Sequence, residues 1–122
     1  MKNFIFTAEP ESIEMHDSFK GIVRFGVSDV SGLMDAVAEA MNFPKYFGEN
    51  WNALSDCLRD FNLIEETNIL IVHKEVPNLE NEQLSVYIDI LKDSVSDWTQ
   101  EDEHELFVVF PVSSEKRILN LI

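Results

Sequence analysis

The stretch from Asn42 to Phe61 constrains the fold of this chain more than any other part of the sequence. Pro44 cannot continue a helix and biases the residue before it away from helical backbone angles. Gly48, a little further on, tolerates backbone angles that bulkier residues resist. The sequence therefore predicts a helix that ends before Pro44, a tight loop, and a second, short helix after Gly48.

The second predicted helix has two faces of different character. With about 3.6 residues per turn, its apolar residues fall on one stripe, which we expect to be core and which has Cys57 at its edge: Trp51, Leu54, Leu58 and Phe61. The opposite side carries polar residues: Asn52, Asp56 and Arg59, flanked by Ser55 and Asp60. Two loop aromatics, Tyr46 and Phe47, precede the helix. An acidic helix entered through an aromatic loop is a plausible docking surface for another protein.

The run from Phe43 to Leu58 resembles the signature of the barstar family, whose archetype inhibits a secreted ribonuclease. The similar residues read Phe-Pro-Lys-Tyr-Phe-Gly-Glu-Asn-Trp-Asn-Ala-Leu-Ser-Asp-Cys-Leu. A motif of this length is far more specific than a lone glycine pattern. Beyond the motif, the order of elements agrees loosely with the family over most of the chain.

The resemblance implies inhibition by plugging, in which the signature helix and its loop enter the active-site cleft of a basic ribonuclease. One aspartate then takes the place of an RNA phosphate, because a carboxylate offers two anionic oxygens to guanidinium donors. Asp56 matches that aspartate. The resemblance adds further contact positions on the loop, on the same helix and, in approximate register, on the last long helix: Tyr46, Phe47, Asn52, Ser55, Asp60, Phe61, Asp93 and Asp97.

This chain departs from the family pattern at several of those contact positions. Asn52 stands where the family has an acidic residue, so a charge is lost and an acceptor is kept. Ser55 and Phe61 stand where the archetype has tryptophans, and Asp60 stands where it has glycine. The resemblance therefore indicates the fold more clearly than the specificity.

The charge balance indicates the kind of partner to expect. The chain has 23 acidic and 9 basic residues, a formal net charge of −14 at pH 7, which repels nucleic acid and anionic membranes and attracts basic proteins. No apolar run is long enough for a membrane span, and residues 1–7 are too short for a signal peptide. We therefore expect a cytoplasmic protein with a basic nuclease as its partner; the oligomeric state is left open.

The sequence offers little for catalysis or cofactor binding. Cys57 is the single cysteine, so neither an intrachain disulfide nor a cysteine-based zinc cage is expected, and its position predicts a small buried residue. His73 follows a predicted strand at the end where α/β proteins often place functional groups, although a satisfied histidine is the commoner outcome. Phosphate-loop, dinucleotide and paired-histidine motifs are missing. We expect no catalytic activity, no metal and no cofactor.

The remaining patterns predict an α/β fold. Apolar runs predict strands at 21–27, 68–73 and 106–109. Helical periodicity predicts one helix after the first strand, with Ser28 or Ser31 as its cap, and another helix from Glu82 to Trp98. This alternation implies a small parallel sheet of about three strands with helices packed on it. We expect one domain, 1–122, in which residues 1–20 are an extension that can add an edge strand at 4–6. Residues 113–122 are expected to pack on the core or on another subunit.

Three functions stay open at this point. The first is a barstar-like inhibitor, or immunity protein, that protects its own cytoplasm from a secreted or injected nuclease. The second is a protein-binding module on the same scaffold with a partner that is not a nuclease. The third is a small enzyme that uses His73 or Cys57.

Overall fold

The computed structural model describes residues 1–44, 47–98 and 102–122. Two 3-10 turns, at residues 10–12 and 112–114, accompany the strands and α-helices of these ranges. In chain order, the strands and helices are β1 Phe4–Thr7, β2 Ser18–Val23, α1 Val30–Met41, α2 Trp51–Cys57, β3 Asn68–His73, α3 Asn81–Asp97, β4 Glu105–Pro111 and α4 Glu115–Leu119.

The strands form one parallel sheet in the order β1-β4-β3-β2. This confirms the predicted α/β fold with a small parallel sheet. The sheet has four strands where about three were expected, because the N-terminal residues do add an edge strand. In that strand Phe4 pairs with Val108 and Phe6 pairs with Phe110 of β4.

Strand β3, one of the two central strands, is buried on both faces, as its uninterrupted apolar run predicted. Successive side chains of a strand point to opposite faces of the sheet. Ile69 and Ile71 accordingly belong to the main core, on the face that carries the helices, whereas Leu70 and Val72 belong to a smaller cluster on the other face.

The N-terminal extension covers that other face of the sheet. Residues 8–17, which we call the N-terminal strap, lead from β1 at one edge to β2 at the other edge. On the way, Ile13 and Met15 pack against Leu70, Val72 and Val109. The strap therefore shields apolar residues of the two central strands that would otherwise face water.

Asp17 fastens the end of the strap to the start of β3. Its carbonyl oxygen accepts a hydrogen bond from the Asn68 amide at 2.9 Å, and its carboxylate accepts one from the Thr67 amide at 3.2 Å. The hydrogen bonds from Thr67 lower the pKa of Asp17 below its ordinary value, because they favour the charged carboxylate.

The end of β2 and the cap of α1 differ from the sequence-based expectation. Strand β2 begins at Ser18 and ends at Val23, so Phe25, which was counted in the strand, lies beyond it and is 57% exposed. Asp29, rather than Ser28 or Ser31, caps α1, since its carboxylate accepts a hydrogen bond from the Gly32 amide at 2.7 Å.

The long helix α3 buries the residues that its periodicity selected, among them Leu84, Ile88, Leu91 and Val95. In the C-terminal helix α4, Ile118 is fully buried in the same main core. The last residues thus pack on this chain's own core, one of the two predicted alternatives. None of the helices in the described ranges has the length and apolar character needed to cross a membrane.

Candidate functional site

Helix α2 begins at Trp51 because Asn50 caps it. The Asn50 side chain accepts a hydrogen bond from the Ala53 amide at 2.8 Å and donates one to the Gly48 carbonyl at 3.2 Å. Glu49, between them, has a left-handed backbone with φ of 51°, which is uncommon for a residue with a side chain. The Gly-Glu-Asn segment of the signature therefore fixes how the chain enters α2.

A pair of carboxyl groups lies beside this entry. The hydrogen bond between Glu49 and Asp35 of α1, together with the negative charge of Asp35, raises the pKa of Glu49. A proton on one of the two carboxyl groups relieves the repulsion between them.

The apolar stripe of α2 faces the core, as its spacing predicted, although the helix itself ends at Cys57 rather than at Phe61. Leu54 and Leu58 are fully buried. Phe61 lies beyond the helix, is 4% exposed and stacks on Trp98 with ring centroids 5.6 Å apart. The resemblance placed Phe61 among the partner contacts, but its side chain lies in the core instead.

Trp98 joins the end of α2 to the end of α3. Its indole Nε1 donates a hydrogen bond to the Leu58 carbonyl at 2.9 Å, while its ring stacks on Phe61. The polar faces of the two helices are consequently held next to each other.

Together with the turn that follows α2, those polar faces form a common surface, whose residues are Asn52, Ser55, Asp56, Arg59, Asp60, Asp93 and Asp97. We call it the α2–α3 surface. Asn52, Asp56, Asp60, Asp93 and Asp97 are exposed, and Ser55 is half-buried. Arg59 lies just after α2, and its side chain contacts both helices: its Nη1 donates to the Ser55 carbonyl at 3.1 Å and to the Ser55 hydroxyl, and its Nε donates to the carboxylate of Asp97. The structure thus brings together most of the residues that the resemblance proposed.

Two predicted contact residues belong to the loop before α2. Tyr46 lies outside the described residues. Phe47 is half-buried and packs on Phe43, with ring centroids 5.1 Å apart. Part of the Phe47 side chain therefore supports the loop from within.

An apolar recess of about 260 Å³ borders the α2–α3 surface. It lies between the end of α1 and the segment that follows α2, and Asp60 contributes to its wall. Leu63, at its edge, is 92% exposed. Asp60 thus belongs both to the α2–α3 surface and to the wall of the apolar recess.

Arg59 is the residue of the α2–α3 surface whose contacts the sequence pattern predicts least completely. It was recognised only as one member of the polar face of the helix, whereas its contacts reach across to α3. The spacing of four residues between Ser55 and Arg59 could have predicted their contact within one helix. The contact with Asp97 depends on how α2 and α3 pack, which the sequence pattern does not encode.

The two residues considered for catalysis have properties that do not suit it. Cys57 is half-buried, whereas a buried side chain was expected. Burial, followed by the charges of Asp60 and Asp56, raises the pKa of its thiol, and a protonated thiol is a poor nucleophile.

His73 is fully buried between β4 and α3. Its Nδ1 lies 3.0 Å from the Val109 carbonyl, which can only accept, so Nδ1 carries the proton and donates. Its Nε2 then accepts a hydrogen bond from the Tyr87 hydroxyl at 2.7 Å. Burial lowers the pKa of His73 to about 4. With both ring nitrogens bonded to the protein, His73 holds the sheet to α3 and is not accessible to a substrate.

Metal coordination finds no support in the described part of the chain, where histidine, cysteine and acidic side chains do not form a cluster of three suitable ligands. His104 is buried instead, and its Nδ1 lies 2.8 Å from the Glu66 carbonyl. Phe61 and Trp98 surround its ring. This histidine is therefore part of the core beneath the α2–α3 surface.

Comparison with known proteins identifies one family. The family model described as Barstar (barnase inhibitor) matches residues 22–111, from within β2 to the end of β4. The matched range contains the whole α2–α3 surface and leaves out β1 and the N-terminal strap. Among curated proteins, no match to the chain is found.

Proposed function

The chain belongs to the Barstar family of barnase inhibitors, and from this premise we propose that it binds and inhibits a basic ribonuclease through the α2–α3 surface. Its role is then that of an immunity protein, which protects the cytoplasm of its own cell from a secreted or injected nuclease. The observation that carries this proposal is the convergence of exposed carboxylates from two helices on one surface that includes the family signature.

Asp56 is the proposed anchor of the complex. It lies in the last turn of α2 and is exposed, so its carboxylate can enter a cleft that normally receives an RNA phosphate. Two carboxylate oxygens match the forked donors of an arginine, and charge-assisted bonds of this kind are stronger than neutral ones. Asp60 and Asp93 are also exposed and add negative charge to the α2–α3 surface.

A binding role also fits the chemistry of the core better than a catalytic role does. The one cysteine has a raised pKa, and His73 is neutral and enclosed. Neither residue offers an accessible nucleophile or base at the α2–α3 surface.

A second candidate is a binding module whose partner is not a nuclease. It is favoured by the same surface, because Ser55 and Arg59 introduce a neutral group and a cation among the carboxylates. A partner other than a cationic active site could use that mixture. The experiment that follows separates the two candidates.

The test is capture of proteins secreted by the source cell on immobilised wild-type chain, with the Asp56→Ala variant in parallel. The wild type is expected to capture and inhibit a basic nuclease. Asp56→Ala is expected to cost about 2 kcal/mol of binding free energy or more, since the nuclease's cationic pocket is left without its partner.

Glu14→Ala is the matched control, because it also removes one exposed carboxylate but lies on the N-terminal strap, across the sheet from α2. It should bind the nuclease as the wild type does. Equal nuclease binding by the wild type and Asp56→Ala would contradict the proposed anchor. Capture of the same non-nuclease protein by both would support the second candidate.

A further inference from the structure

Arg59 places a positive charge within the α2–α3 surface, and the protein holds that charge in one position. The guanidinium is anchored on α2 by the carbonyl and hydroxyl of Ser55 and on α3 by the carboxylate of Asp97. The carbonyl oxygen of Ser55 lies 3.1 Å from Nη1, and these contacts use two different nitrogens of the guanidinium. Arg59 is thus a fixed feature of the surface.

This charge remains accessible to a partner. The Arg59 side chain is 33% exposed and that of Asp97 is 55% exposed. A guanidinium has five N–H donors, and the contacts of Arg59 within the described residues use only Nε and Nη1. Its remaining nitrogen, Nη2, can donate to an acceptor that a partner brings.

The same contacts change what Asp97 offers. Its carboxylate is already paired within the chain, so a partner cation directed at Asp97 must compete with Arg59. That cation would also lie next to the guanidinium, and repulsion between like charges grows as an interface excludes water. The α2–α3 surface therefore binds a uniformly cationic cleft less strongly than its number of carboxylates indicates.

We propose that Arg59 is a specificity-determining residue. It selects a nuclease whose cleft has basic groups facing Asp56 and a carboxylate facing Arg59. It disfavours a nuclease that has a cation facing Arg59. This inference rests on the proposed function, because it concerns the choice among nucleases. A fixed charge gives specificity in two ways: it repels a partner that has a like charge at the facing position, and it binds a partner that has a hydrogen-bond acceptor there.

Barnase, the enzyme for which the family is described, serves as the probe for this proposal. Its affinity is measured by titration calorimetry at low ionic strength for the wild type, Arg59→Gln, Arg59→Lys and Arg24→Gln. Removing the Arg59 charge is expected to strengthen barnase binding by about tenfold, the equivalent of one close like-charge contact. Arg59→Lys keeps the charge and is expected to bind barnase as weakly as the wild type does.

Arg24→Gln is the matched control. Arg24 forms an exposed ion pair with Glu39 of α1, with 3.2 Å between its Nη1 and the carboxylate, and lies outside the α2–α3 surface. The substitution changes the net charge equally, so its effect on barnase affinity measures long-range attraction alone and is expected to stay within about twofold.

Three results would overturn the proposal. Equal gains for Arg59→Gln and Arg24→Gln would mean that only net charge matters, and an equal gain for Arg59→Lys would exclude repulsion as the cause. Unchanged or undetectable binding of barnase to Arg59→Gln, with a native circular dichroism melt, would show that Arg59 does not govern the choice. None of these results bears on the proposed function, which is judged by Asp56→Ala and the nuclease from the source cell.

Discussion

His73 illustrates how a single residue can secure the core, where it is fully buried. Its ring stacks on Phe110 at 4.0 Å between centroids, and its two nitrogens bond to the Val109 carbonyl and the Tyr87 hydroxyl. These contacts join β4 to α3. They require the neutral imidazole with its proton on Nδ1, so this part of the core is sensitive to acid.

The pH dependence of that contribution has a definite sign. The pKa of His73 falls from an ordinary value of 6.5 to about 4 in the folded protein, so below pH 6.5 the unfolded chain binds a proton that the folded chain resists. The stability contributed by neutral His73 is present above pH 6.5 and is lost as the pH falls towards 4. At about 1.4 kcal/mol per pH unit, the loss approaches about 3 kcal/mol.

We predict that replacing His73 by glutamine removes this acid-dependent loss of folding stability. Chemical denaturation of the wild type and His73→Gln gives the free energy of unfolding at a series of pH values. The wild type should be the more stable protein at pH 7, and the difference should shrink as the pH approaches 4. His16→Gln, at an exposed position, is the control and should follow the wild type. A difference that stayed constant with pH would refute the assignment.

At the scale of elements, the N-terminal strap is the feature that sequence reasoning could place but not explain. Its sequence has no helical or strand periodicity. Its role as a cover of the sheet is visible only from the packing of its apolar side chains against Leu70, Val72 and Val109. The family match begins at residue 22 and does not include it. The strap therefore adds to this chain a cover for the sheet face opposite the helices.

We predict that Ile13→Ala lowers the free energy of unfolding by about 2 kcal/mol, the low end for such a truncation because Ile13 is only partly buried. Affinity for the nuclease should not change, since the strap and the α2–α3 surface lie on opposite sides of the sheet. Urea denaturation and binding titration measure the two quantities, and Glu14→Ala is the control for both. A parallel loss of affinity would mean that the two faces are coupled.

The helices show where sequence patterns succeed and where they fail. Periodicity predicted the buried faces of α2 and α3 because each face is set within one helix. The same periodicity predicted that the apolar stripe of α2 reaches Phe61, because the apolar spacing continues beyond Cys57, where the helix ends. It could not reveal that Trp98 covers Phe61 or that Asp97 pairs with Arg59. Both contacts join segments far apart in sequence, so they depend on the packing of α2 against α3.

Charge dominates the behaviour of the whole molecule. The formal net charge is −14 at pH 7, and only two ion pairs, Arg24–Glu39 and Arg59–Asp97, form between side chains of residues 1–44, 47–98 and 102–122. Both pairs are partly exposed to water, where such pairs contribute about 0–1 kcal/mol. Because acidic residues outnumber basic ones by 23 to 9, we expect repulsion among carboxylates to outweigh the attraction that salt would weaken.

We predict that sodium chloride stabilises the protein. Raising the ionic strength from about 0.01 M to about 0.15 M shortens the screening length from about 30 Å to about 8 Å, which weakens repulsion between distant carboxylates more than attraction within a contact pair. A gain of about 1 kcal/mol would raise the melting temperature by roughly 4 °C. A variant with Glu11, Glu14 and Glu115 changed to glutamine has a formal charge of −11, from −14 plus three, and should gain less from salt. If salt lowered the melting temperature, or raised that of the variant more, local ion pairs rather than overall repulsion would govern stability.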